Sequence, residues 1–172
     1  MRARTFALVG LVAGVAGAAD PAPGFQPFAS SAGRYKVLFP GPVKTETTEV
    51  KTPSGGTATV TLDAAKAGGV TYLVSYVDVP DAVAQQPPGP RLDKVRDAHK
   101  GTDGRLLADK ELTVGGEKYP ARDVLVGRPD GTLRVRVVIA GSRLYQVMAR
   151  GPREGVTGAD ADRYFGSFEV TK

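Results

Sequence analysis

The chain has no cysteine and a single histidine among its 172 residues. The first absence excludes thiolate metal sites, thiol nucleophiles and disulfides, and with them the lipid attachment that a bacterial lipoprotein signal requires. The second means that any Ser-His-Asp chemistry has to use His99. No Gly-x-Ser-x-Gly elbow supplies the serine: Ser142 stands in Ala140-Gly141-Ser142-Arg143, and Ser75 lies in mid-strand. His99 instead reads as a half-exposed residue of a helix's last turn, where the dipole favours an imidazole.

Phosphate-cradling loops are missing as well. Gly55-Gly56, Gly68-Gly69 and Gly115-Gly116 lack the Gly-x-x-x-x-Gly-Lys and Gly-x-Gly-x-x-Gly spacings and read as hairpin turns. The pair Asp160 and Asp162 resembles a hard-cation site only in part, because the full run of ligands of an EF-hand loop is absent. Two acids in a first helical turn are what the positive end of the dipole prefers. Asp78, Asp81, Asp103 and Asp109 are scattered through turns without the spacing of an acid and base pair. We therefore expect no catalytic residues, no metal ligands and no cofactor, and read the chain as non-enzymatic.

Long apolar runs are also lacking. Met1 to Ala19 begins with Arg2 and Arg4, continues in an apolar run from Phe6 to about Ala18, and ends in small residues before Asp20. This is the layout of a secretory signal peptide, and it is too short and glycine-rich to span a membrane, which takes ~20 residues. The expectation is a cleaved signal, no stable membrane span afterwards, and a secreted or periplasmic protein. Losing Arg2 and Arg4 takes the 23 basic side chains to 21 against 18 acidic ones, a net charge of +3. That is small for a polyanion binder, and aromatics interleaved to stack bases are missing, so nucleic acid is not expected as a partner.

What is present suits one sheet-rich domain. Composition at 41% hydrophobic and 24% charged is near globular averages, and 22 glycines and 13 prolines imply many short turns. Residues 1–19 read as signal peptide, 20–33 as a proline-rich flexible lead that stays mobile or drapes over the sheet, and 34–172 as a single α+β domain. Phe25 and Phe28 of the lead are placed to tuck into the core edge.

The organising stretch is Tyr119 to Pro152, three antiparallel strands joined by two turns. In Thr132 to Ala140, Leu133, Val135, Val137 and Ile139 alternate with Thr132, Arg134, Arg136 and Val138, the period of a strand with one face buried. Pro129-Asp130-Gly131 and Ala140-Gly141-Ser142 carry the proline and glycine that turns need.

Upstream, Tyr35 to Phe39 reads as the first strand, stopped by Pro40-Gly41-Pro42. Val43 to Thr52 is a charged edge strand, Pro53 to Gly56 a turn, Thr57 to Asp63 a strand, and Val70 to Val79 a central strand covered on both sides. Asp81 to Gly89 is a loop, and Pro90 opens a helix with Leu92, Val95 and His99 at helical spacing, ended by Gly101. Arg105 to Val114 is another strand. Thr157, three before Asp160, has the pattern of a capping box and starts a last helix whose Ala161, Tyr164, Phe165 and Phe168 form an i, i+3, i+4, i+7 stripe. The fold class is α+β, an antiparallel sheet with helices packed on it.

The Phe39-Pro40-Gly41-Pro42 corner, Tyr76-Val77-Asp78-Val79-Pro80, Ala121-Arg122-Asp123, Arg143-Leu144-Tyr145-Gln146-Val147 and Phe165-Gly166-Ser167-Phe168 carry a resemblance. The pattern, over roughly Tyr35 to Val170, is similar to small exported bacterial proteins of unassigned function whose topology resembles the PsbP/Mog1-like α/β/α sandwich. The resemblance implies a non-enzymatic binding or accessory module, since PsbP-like members attach to photosystem II and Mog1-like members bind a small GTPase. No partner-contacting residue of either matches a position here.

One constellation invites a second reading. Arg134 and Arg136 must share a sheet face, and Arg122, Arg128 and Arg143 flank the same strands, which suggests a guanidinium cluster on one face or edge. Arginine forks suit carboxylate and phosphate, so a small anionic ligand or an anionic envelope polymer is the alternative to an unknown protein partner. The plainer account is that nearby acids pair with them, or that a helix lies over their stems.

Overall fold

The computed structural model describes residues 24–51 and 56–172. The expected signal segment and most of the Pro53 to Gly56 turn lie outside the described residues. The alternation of the organising stretch is realised as strands β7 (Tyr119–Arg128), β8 (Gly131–Ala140) and β9 (Arg143–Gly151), paired antiparallel. Around them stand β3 (Lys44–Lys51), β4 (Thr57–Ala67), β5 (Val70–Asp78) and β6 (Arg105–Val114). These seven form one antiparallel sheet in the order β3-β4-β5-β9-β8-β7-β6, with the charged β3 at an edge as expected.

Both faces of this sheet are covered at β8. Leu133, Val135, Val137 and Ile139 pack with Val124 and Val126 against Leu92 and Val95 of helix α2 (Pro88–Lys100). Val138, in the set expected to face solvent, is fully buried on the opposite side, where Tyr72, Val74, Tyr145 and Val147 meet Tyr164, Phe165 and Phe168. The residue alternation alone reads as one buried face because Arg134 and Arg136 share the second face with Val138. Three layers result: α2, the sheet, and a layer holding α3 (Arg153–Thr157), α4 (Ala159–Ser167) and a small second sheet.

That second sheet corrects the expectation of a mobile lead. The lead is not wholly mobile: Gln26–Ser30 forms β1, paired with β2 (Tyr35–Phe39), while β10 (Glu169–Val170) pairs on the other side of β2. Pro27 is tolerated because β1 is an edge strand, and Phe28 stands edge-on to Phe39 with ring centroids 5.5 Å apart. Thr157 does not cap the last helix. It ends α3, its hydroxyl donating to the Arg153 carbonyl at 2.8 Å, and the N-cap of α4 is Gly158, which has no side chain to offer. Asp81 to Gly89 also holds one helical turn, α1 (Asp81–Ala84), and β4 runs four residues past Asp63. No helix among the described residues is long and apolar enough to cross a membrane.

Candidate functional site

The meander distributes the five candidate arginines between opposite faces, because strand residues alternate. Arg134 and Arg136 of β8 face the α3 and α4 layer. Arg136 makes a two-pronged bond to Asp123 at 2.6 and 2.8 Å and donates to the Phe165 carbonyl at 2.8 Å. Arg134 reaches Asp162 at 2.6 Å with its guanidinium 4.4 Å from the centre of the Phe165 ring. Asp162, one of the two acids at the start of α4, therefore serves an ion pair there.

Arg122 and Arg128 of β7 point the other way, toward α2. Arg122 bonds Asp93 and Glu111 and lies 3.0 Å from Asp109. Its hydrogen bond holds the Asp93 carboxyl below the usual carboxylate range. Arg128 donates to the carbonyl of His99. Arg143, at the far end of β9 from Arg150, forks onto Asp78 at 2.6 and 2.7 Å and donates to the Ala32 carbonyl at 2.7 Å. That fork pulls the Asp78 carboxyl below its ordinary value. Arg150 pairs with Asp130, and Arg153 opens α3 on the surface. So only Arg134 and Arg136 come together, and the single cluster expected from the sequence is not formed.

His99 also departs from expectation. It is 6% exposed, not half exposed, and its Nε2 lies 2.5 Å from Gln146 Oε1. An amide oxygen only accepts, so Nε2 carries a hydrogen and donates. Burial, reinforced by Arg128, pushes the pKa of His99 down from its ordinary value, against the opposing Gln146 bond. Ser75 is the register partner of Gln146 on β5 and equally buried, yet its hydroxyl has no hydrogen-bond partner. Among the described residues, His99 is bonded through its ring to Gln146 and not to a serine or an acid.

Sequence reasoning missed one buried polar contact. Asp63, 1% exposed, accepts from Tyr35 and from Thr45, each at 2.5 Å. Burial first, then the Asp63 bond, raises the Tyr35 phenol above its usual range. The available signal was weak: Asp63 continues the threonine face of Thr57, Thr59 and Thr61 in β4, and only Ala65 beyond it marks that face as turning inward. Among the described residues, no group of three or more histidine, aspartate or glutamate side chains is placed to hold a metal ion.

No protein-family model matches the chain, and no curated protein matches it in sequence. Among solved structures, it is similar to the solution structure of cyanobacterial PsbP (CyanoP) from Synechocystis sp. PCC 6803. The match covers 91% of this chain and 98% of that one, with a TM-score of 0.52 at 16% identity. At that identity the likeness is one of fold, and it bears out the PsbP-like arrangement of helices on an antiparallel sheet.

Proposed function

We propose that the chain is an exported, non-enzymatic binding or accessory module of the cell envelope. The observation that carries this reading is the mutual pairing of the ionisable side chains that stood as candidates. A general acid, base or nucleophile has to be presented to a substrate. Here Arg122, Arg128, Arg134, Arg136 and Arg143 are engaged with acids or backbone carbonyls, and His99 is engaged with Gln146. The PsbP-like fold supports the same reading, since the resemblance drawn from the sequence implies attachment to a partner.

Purified protein offered chromogenic ester, phosphoester, glycoside and peptide substrates is expected to turn over none of them. Turnover abolished by His99→Ala or Ser75→Ala overturns the proposal. Fractionation with N-terminal sequencing is expected to find the protein outside the cytoplasm, starting near Asp20; an unprocessed cytoplasmic chain removes the envelope part. The rival reading, an anionic ligand or envelope polymer on the arginines, needs guanidinium groups free to bind it. An Arg134→Ala, Arg136→Ala double variant is expected to bind an anionic matrix as the parent does, and a salt-sensitive loss would favour the rival.

A further inference from the structure

The end of α2 is tied to the sheet through one residue. The His99 ring donates to Gln146 of β9, and the His99 carbonyl accepts from Arg128 of β7. To the apolar cluster beneath it, α2 contributes only Leu92 and Val95. His99, seven residues after Leu92, occupies the next inward position, where an aliphatic side chain would complete the stripe.

We propose that this contact is an acid-sensitive latch: a proton on His99 releases the last turn of α2 from the sheet while the helix up to Arg96 stays attached. Since Nε2 already carries hydrogen, the added proton goes to Nδ1 and places an imidazolium in a site 6% exposed. The charged groups around it are unhelpful. Arg128 faces it from β7, Lys100 follows it on α2, and β9 offers the neutral Gln146. The acid of the following loop, Asp103, is exposed and lies 4.0 Å from Arg128, not on the ring. The negative end of the α2 dipole favours the imidazolium, and burial outweighs it.

The sign follows from linkage. A histidine whose folded pKa lies below its unfolded value of about 6.5 adds its full stability above that pH, and loses it as pH falls toward the folded value. The helix up to Arg96 is held differently. Asp93 bonds Arg122 and Arg96, and Arg96 bonds Asp109 at 3.2 Å. The Arg122 hydrogen bond holds the Asp93 carboxyl below its ordinary range, so that tie outlasts the neutral histidine as pH falls. Between about pH 4 and about pH 6 only the histidine end opens.

Hydrogen exchange of the purified protein, corrected for the intrinsic rate, tests this at about pH 7.5 and about pH 5. Amides of residues 98–101 should exchange about tenfold faster or more at the lower pH, with β7 and β8 unchanged. His99→Gln keeps a neutral donor toward Gln146 and should abolish the difference. Gln146→Glu gives the ring a carboxylate and should raise the NMR titration midpoint of the only histidine, protecting α2 in acid. Equal protection of wild-type α2 at both pH values overturns the latch, as does an acid loss that persists in His99→Gln or a midpoint that Gln146→Glu leaves unmoved.

Discussion

Arg136 shows why an arginine in a sheet face need not await a ligand. Its side chain is 14% exposed, it forks onto Asp123, and its remaining amino group answers the carbonyl of Phe165. A lysine in its place offers a point charge where a planar fork is used. Arg136→Lys is expected to cost about 1–2 kcal/mol in urea unfolding, from lost charge-assisted bonds, with no change in the slope of the transition. Asp63 makes the complementary case. Asp63→Ala leaves the Tyr35 hydroxyl without its acceptor in a residue with no exposed surface, and should cost about 1–3 kcal/mol. Adding Tyr35→Phe removes both partners and should recover part of the loss; if the losses of the two single variants simply add in the double variant, the bond is not the source.

At the scale of elements, the last helix and the residue after it close one face of the sheet. Phe168 lies just past α4, 5% exposed, with its ring 5.6 Å from Tyr35 and 5.5 Å from Tyr145. Phe168→Ala should cost about 3–5 kcal/mol by transfer and cavity terms together. A loss under about 1 kcal/mol would place the segment at the periphery. Thr157→Ala gives the contrast. Its hydroxyl serves the Arg153 carbonyl within α3, so removing it should change stability by less than about 0.5 kcal/mol, whereas a true N-cap would cost about 1. The capping pattern was legible as letters but misassigned, because a short helix ends where the longer one was read to begin. Burial of the stripe residues Ala161, Tyr164 and Phe165 was legible, since a helical face depends on spacing that the sequence states directly, whereas Phe168 is buried from the extended residue after the helix.

For the molecule as a whole, the segment before β2 belongs to the fold. β1 lends five residues of ladder to β2, and the turn between them is held by Arg143 on the Ala32 carbonyl and by Tyr145 on the Gly33 carbonyl at 2.7 Å. Removing residues 24–30 should cost about 2–4 kcal/mol, from half-buried Phe28 and its contact with Phe39, seen as a lower thermal midpoint. A midpoint unmoved by the truncation would return this stretch to a passive lead.

The sequence by itself determined the strands of the meander, the register-setting turns, the edge position of β3, the inward stripe of α4, and the α+β class. Each is a local matter of period, proline and glycine. Only the tertiary structure decided which face each arginine joins, which acid meets it, that His99 is sealed against Gln146, and that β1 and β10 flank β2 in a sheet of their own. Those outcomes depend on which distant strands become neighbours and how layers stack. Asp78 and Arg143 are 65 positions apart, and no spacing along the chain encodes their meeting.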